Sequence, residues 1–268
     1  MSVAEAVLTG EEARRFADQG FVVPRFRFAP DVVERLRIDI ADYLEANPHL
    51  TAELPITHAH IPAPDASGRD HSLMWFCLRP DLLDLIEALE GPDLILWTTS
   101  VFHRPAVKGV ATPWHQDGEY WPIEPITGAS AWVAVTPARR ENGCLRVIPC
   151  SHKRHARHVE RDGSFSRTLA PDAFDEADAV DIELEPGEMF LFHPLLIHGS
   201  WPNTSGEVRT GFAVRYFATT SFFNHEGGGG RADGRAAYAD RPLYLVRGVD
   251  RCGRNDLVRN HARETAPS

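Results

Sequence analysis

The sequence predicts a mainly β protein with flanking helices, and three observations carry that prediction. From residue 93 onward, short β-rich runs are separated by Pro, Gly and Asn turns, the spacing of an antiparallel sandwich or barrel. Before residue 93, apolar residues instead recur at helical intervals. At 268 residues, with 43% hydrophobic and 25% charged side chains, the chain has the composition of one large globular domain with a substantial core.

In chain order, Thr9-Gly10-Glu11-Glu12 has capping-box spacing and Gly20 supplies a stop, so residues 10–19 form a helix. A second amphipathic helix spans Asp31 to Ala46, with Val32, Val33, Leu36, Ile40 and Leu44 along one face. The stretch 55–72, "PITHAHIPAPDASGRDHS", is rich in Pro, Ala and Gly and reads as a lid loop. Pro80 to Leu89 forms a third helix with Pro in its first turn. The expected strands are "DLILWTTSVFHR", "ASAWVAVTP", "GCLRVIP", "VDIELEP", "EMFLFHP" and "EVRTGFAVRYFATT", together a β unit of about 125 residues. Residues 154–178 are polar and read as an excursion between strands. "EGGGGRADG" at 226–234 is a flexible break before a tail expected to pack as helix or loop. The expected layout is a single domain, with 1–92 as helical lead-in and lid, 93–220 as β core and 221–268 as tail.

A net charge of −10 argues against duplex nucleic acid as a partner, since phosphate-binding surfaces are basic. The C-terminal arginines, from Arg231 to Arg263, are interspersed with acids and read as a partly paired surface. No apolar run is long enough to span a bilayer, and the N-terminus carries acids rather than an apolar leader. Cys77, Cys144, Cys150 and Cys252 form no CxxC pair, so reduced thiols in a cytoplasmic protein are expected.

The chemistry concentrates in "WHQDGEYW". On a strand, residues two apart share a face, so His115 and Asp117 can aim two ligands at one point. Among thirteen histidines one such spacing arises by chance, so the pair alone decides nothing. "GEMFLFHPLLIHGSWPN" then presents His198 after an apolar run, and a histidine emerging there needs partners for its ring nitrogens. His193, next to Pro194, competes for the role and ranks below it. Two histidines and one carboxylate make the facial set of non-haem Fe(II) oxygenases, although the same donors also bind zinc in hydrolases. A site for an organic co-substrate separates the two. Arg209 supplies one, eleven residues beyond His198 across the turn "SWPNTSGE", with Ser200 able to add a hydrogen bond.

Together these residues resemble the phytanoyl-CoA dioxygenase family of Fe(II)/2-oxoglutarate-dependent oxygenases. The resemblance runs from about Thr98 to Thr219, through "PWHQDGEYWP", "AWVAVTP", "ENGCLRVIPCSHK", "EPGEMFLFHPLLIHGSWPN" and "RTGFAVRYF". It implies a double-stranded β-helix, the cupin-like jelly roll, as the core. It further implies His115, Asp117 and His198 as Fe(II) ligands and 2-oxoglutarate and O2 as co-substrates. Arg209 would take the distal carboxylate of 2-oxoglutarate, with Ser200, Trp132 and Thr99 alongside. The family's "PGSHK" is "PCSHK" here, with Cys150 in place of a turn glycine, and its "KP" is Arg104-Pro105. Asp117 occupies the position where halogenating relatives carry a small residue, so hydroxylation is implied rather than chlorination.

For the substrate, Tyr120 and Trp121 follow the metal pair and Phe192 precedes the His198 turn. Strand alternation would turn one of Tyr120 and Trp121 into the pocket. His60, His103 and Arg215, with His58 and Arg69, offer cations to an acidic group on a small or mid-sized metabolite. Arg215 lies six residues after Arg209 and so shares its face. Two alternatives stand beside the oxygenase: a cupin-like metal-dependent hydrolase or isomerase, and a non-catalytic ligand-binding barrel. No nucleic-acid or membrane partner is expected.

Overall fold

The computed structural model describes residues 7–47, 56–62, 64, 68, 70–107, 109–161, 167–227 and 238–258. Arg69, Arg231, Arg235, Arg259 and Arg263, with most of the glycine-rich break, lie outside the described residues.

The helices form where their caps direct. The first, Gly10–Gln19, begins on Thr9, whose Oγ1 accepts from the Glu12 N–H while the Glu12 carboxylate accepts from the Thr9 N–H. It ends at Gly20, which has φ 84° and so takes the left-handed turn without a Cβ penalty. A Cβ there would also stand 2.5 Å from the His152 ring, so glycine is required twice over. Pro30–Ala46 and Pro80–Glu90 each start on a proline, whose missing N–H falls where a helix leaves that donor unpaired.

Six longer runs beyond residue 93 are strands, as their turn spacing predicts. The main sheet has seven strands, in the order Phe21–Val22, Met189–Phe192, Ala129–Ala134, Arg209–Ala218, Leu94–Arg104 and Tyr244–Arg247, with Ile56–Thr57 also paired to Leu94–Arg104. The three-stranded sheet His198–Ser200, Leu145–Val147 and Val180–Ile182 faces it, and the two do not close into a barrel. This is the jelly-roll core. Alternation along each strand divides the main sheet into two faces. Val133, Val214, Leu191 and Phe212 pack with Leu36, Phe76, Leu82 and Leu85 of the helices. Trp132, Phe190, Phe192 and Ala213 turn inward against Leu145, Val147 and Ile182 of the small sheet.

Three local expectations are corrected. The tail is neither helix nor loop at Tyr244–Arg247, where it adds a strand to the main sheet beside Leu94 to Leu96. The expected lid loop contributes the strand Ile56–Thr57. The excursion at 154–178 contains an antiparallel pair, His158–Glu160 with Arg167–Leu169. In each case the strand is too short for its period to register in the sequence, and pairing with a distant partner creates it. Of the described C-terminal arginines, Arg247 pairs with Asp84 and Glu87 and Arg251 with Asp93, whereas Arg241 is buried and Arg254 lies over the Phe222 ring.

Candidate metal centre

His115 and His198 exchange two backbone hydrogen bonds, 2.9 and 3.0 Å, although they belong to segments more than eighty residues apart. That pairing sets their rings side by side, with centroids 4.2 Å apart. The backbone then leaves the extended form. Asp117 opens a 3-10 turn, Asp117–Tyr120, rather than continuing a strand as the two-residue spacing suggests. The turn is held by the Gly118 N–H on Pro194 O at 2.8 Å, and a Cβ on Gly118 would lie 2.8 Å from Leu195 Cδ2. Asp117 Oδ1 comes to rest 3.4 Å from His115 Nε2 and 3.8 Å from His198 Nε2. All three side chains are buried.

Each imidazole is oriented by its own chain. His115 Nδ1 lies 2.8 Å from Pro113 O, and His198 Nδ1 lies 2.9 Å from Leu196 O. A carbonyl only accepts, so both Nδ1 atoms carry the hydrogen and both Nε2 lone pairs turn toward Asp117. Phe192 packs its ring 4.9 Å from that of His198, limiting its rotation. Burial, with His115 beside it, pushes His198 down to about 3, which keeps the ring a neutral donor. Burial alone would raise the Asp117 carboxyl. The Arg215 guanidinium and the two histidines outweigh it and hold Asp117 well below the usual carboxylate range. Three convergent donors, two imidazole nitrogens and one carboxylate oxygen, fit a divalent ion of borderline softness.

Arg215 is engaged within the chain. Its Nε donates to Asp117 Oδ2 at 2.9 Å and its Nη1 to Ser100 Oγ at 2.9 Å. Arg209 behaves differently. It shares the inward face of the same strand, is 1% exposed, and among the described residues its side chain makes a single hydrogen bond, Nη2 to Gly143 O at 2.6 Å. Among the described residues its Nε and Nη1 have no partner. Burial, with Arg104 nearby, brings it down to about 9. A buried cation with two open donors is costly unless an anion completes it. The Trp132 ring lies 5.4 Å from its Cζ, and the indole Nε1 also lacks a partner among the described residues. Ser200 Oγ accepts from the Thr112 N–H, and Thr112 Oγ1 accepts from Arg104 Nη2 at 3.0 Å. The arrangement suits a carboxylate.

The remaining candidates are placed as follows. Thr99 and His60 are bonded to each other, Oγ1 to Nδ1 at 3.1 Å, and the His60 ring meets Tyr244 edge-on. His103 bonds Thr210 Oγ1 at 3.0 Å and is lowered by burial and by Arg209. Tyr120 donates its hydroxyl to Arg167 O, and Trp121 packs at 5.0 Å against Trp97 in a separate cluster. Because Asp117–Tyr120 is a turn, strand alternation does not decide which of Tyr120 and Trp121 faces inward. His193 accepts from the Leu195 N–H and sits beside His152, away from the three donors.

Two features escaped the sequence. Gln116, fully buried, donates to Arg154 O and Leu195 O and accepts from the Ala156 N–H, tying two loops to the metal pair. Nothing in its local pattern sets it apart from a surface glutamine. Glu119, His155 and His158 also gather three donors. His158 Nδ1 is engaged by Ala156 O, however, and its Nε2 accepts from the Gln116 N–H. Glu119 is paired with Arg167 and His155, so this cluster reads as an ion-pair network fastening the 158–169 hairpin.

The sequence profile of the phytanoyl-CoA dioxygenase family matches residues 16–211, a span containing His115, Asp117, His198 and Arg209. Peroxisomal phytanoyl-CoA dioxygenase of Bos taurus is 27% identical over 231 residues, 78% of this chain and 68% of that protein. A probable phytanoyl-CoA dioxygenase of Caenorhabditis elegans is 26% identical, covering 79% of this chain and 76% of its own. Among solved structures, the non-haem monooxygenase ThoJ is 28% identical with TM-score 0.70, covering 89% of this chain and 84% of its own. CytC3, solved with Fe(II) and α-ketoglutarate, superposes with TM-score 0.67 over 96% of this chain and 95% of its own; at 24% identity it supports the fold. With the profile spanning both the metal donors and the buried arginine, the chain belongs to the phytanoyl-CoA dioxygenase family.

Proposed function

We propose that the protein, folded as one domain, is an Fe(II)/2-oxoglutarate-dependent dioxygenase. On this reading it hydroxylates an unactivated C–H bond of a small or mid-sized metabolite. The observation that carries the reading is Arg209: a buried guanidinium whose Nε and Nη1 have no partner among the described residues, on the same strand face as Arg215, which bonds Asp117. A hydrolase using the same three ligands has no need of such a cation.

His115, Asp117 and His198 would hold the iron, and Arg209 the distal carboxylate of 2-oxoglutarate through parallel hydrogen bonds. When bound, these groups supply the oxidising power for C–H hydroxylation as 2-oxoglutarate and O2 become succinate and CO2. The chain's own part is placement. The carbonyls of Pro113 and Leu196 fix the imidazoles, and Phe192 and Trp132 keep water from the chamber. The Trp132 ring, centred 5.4 Å from Arg209 Cζ, stands near enough to join it at the co-substrate, and Ser200 keeps its role beside them on the sequence alone.

An acidic group on the substrate remains part of this reading on the sequence alone. His60, His103 and Arg215 each engage a neighbour within the chain. A cytoplasmic location is supported by the four free cysteines; among the described residues no helix is long and apolar enough to cross a membrane. The test is an anaerobic titration of the Fe(II)-loaded protein with 2-oxoglutarate, followed by a screen for substrate-stimulated succinate release. A visible Fe(II)–2-oxoglutarate band, absent in Arg209→Met and Asp117→Ala, supports the proposal. Turnover without O2 or 2-oxoglutarate would point to the hydrolase instead, and ligand binding without any turnover to the non-catalytic barrel.

A further inference from the structure

The Arg215 guanidinium lies against the one face of Asp117 that the histidines leave open. Asp117 Oδ1 is the oxygen approaching the two Nε2 atoms, and Oδ2 accepts from Arg215 Nε. Arg215 is itself immobilised. Its Nη1 is on Ser100 Oγ, and it sits mid-sheet, paired with Ser130 on one side and Thr98 on the other. Directly beside it the register slips: Arg215 opposes Thr98 and Tyr216 opposes Leu96, so Trp97 is an extra residue in the facing strand. Irregularities of this kind bend a strand and re-aim the side chains next to them.

We propose that Arg215 is a positioning residue for the metal, occupying Asp117 Oδ2 so that the carboxylate offers the ion Oδ1 alone. The inference rests on the assignment of His115, Asp117 and His198 as ligands. A free carboxylate can grip a cation through both oxygens and so take a second coordination position. With Oδ2 already bonded to the Arg215 guanidinium, that second grip is closed. Three single-atom donors would then leave room on the ion for a two-point co-substrate and one further ligand. Arg215 also cancels the charge of Asp117. The loaded site therefore stays cationic toward a dianionic keto-acid, and Arg209 alone is left to meet the far carboxylate.

The competing explanation is a plain counter-ion, which lets go of Asp117 once a metal arrives. The experiment uses the full chain and Co(II) or Zn(II), without 2-oxoglutarate and without turnover. In the metal-loaded crystal structure Asp117 should bind through one oxygen with Arg215 Nε still on the other. Arg215→Met frees that oxygen and removes a neighbouring cation, so it should bind Co(II) at least about tenfold more tightly and shift the Co(II) ligand-field spectrum, with Arg215→Lys between it and the parent. A folded Arg215→Met with the parent's affinity and spectrum overturns the inference, as does a parent complex in which both Asp117 oxygens bind the metal. If Arg215→Met does not fold, the parent complex decides alone. Failure of the parent to bind any metal removes the ligand assignment and this inference together, whereas two-oxygen binding removes this inference only.

Discussion

Gly211 lies flat beneath the Trp132 indole: a Cβ at Gly211 would stand 1.9 Å from Trp132 Cζ2. The two residues sit on adjacent strands, and the missing side chain lets the indole extend toward Arg209. Gly211→Ala must therefore push Trp132 off its place. Overpacking of this kind costs about 1–3 kcal/mol. Urea denaturation should show that loss, and 2-oxoglutarate affinity should fall at least about tenfold; wild-type affinity in the variant would mean that Trp132 does not shape the co-substrate site.

Arg209 exchanges stability for binding. Its guanidinium is buried with two donors unsatisfied among the described residues, so replacing it with methionine removes a desolvation cost and retains the packing. Arg209→Met should be at least as stable as the parent without ligands, by about 1 kcal/mol or more. It should gain no further stability from 2-oxoglutarate, whereas the metal-loaded parent gains. Thermal melts with and without 2-oxoglutarate check both arms. A clear drop in ligand-free stability would assign Arg209 a structural role.

Gln116 bridges the loop at Arg154–Ala156 to the one at Leu195. Gln116→Ala takes the partner from two carbonyls and one N–H in partly buried positions, at about 1 kcal/mol each. A loss of about 2–4 kcal/mol in chemical denaturation is expected on that basis. Co(II) affinity should weaken with it, since the same residue lies between His115 and Asp117. A neutral variant would show that water takes over all three bonds.

Two histidines, His198 buried and His193 half-buried, shape the acid limit of the metal-free protein. His198 is pushed down to about 3 and His193 to about 4, each chiefly by burial, from an ordinary value of 6.5. Between those values and 6.5 the unfolded chain binds protons that the folded chain refuses. Their contribution is therefore complete above 6.5 and is lost as pH falls below it. Each adds a slope of roughly 1.4 kcal/mol per pH unit inside its window. Stability followed by urea denaturation from pH 7 to 4.5 should fall accordingly, and His193→Gln should flatten the curve. A pH-independent midpoint over that range would show that both rings protonate within the fold.

Much of this architecture was readable in advance because its signals are local. The capping box at Thr9 and Glu12, the helix-starting prolines at Pro30 and Pro80, and the β-rich runs from Leu94 to Ala218 depend on neighbours a few residues away. So did the spacing that singled out His115, Asp117, His198 and Arg209, although the reason given for the first pair, a continuous strand, is replaced by a bridge followed by a turn. The partners of Arg215, Thr99, His60 and Gln116, and the strand Tyr244–Arg247, were decided only by the tertiary structure. Each is a pairing across dozens of residues, and a hydrogen bond or strand contact at that separation leaves no periodicity in the chain. The sequence by itself determined which donors exist and roughly which strands carry them. Which oxygen of Asp117 is left facing the histidines depended on the packing of strands distant in sequence, because only that packing carries Arg215 to Oδ2.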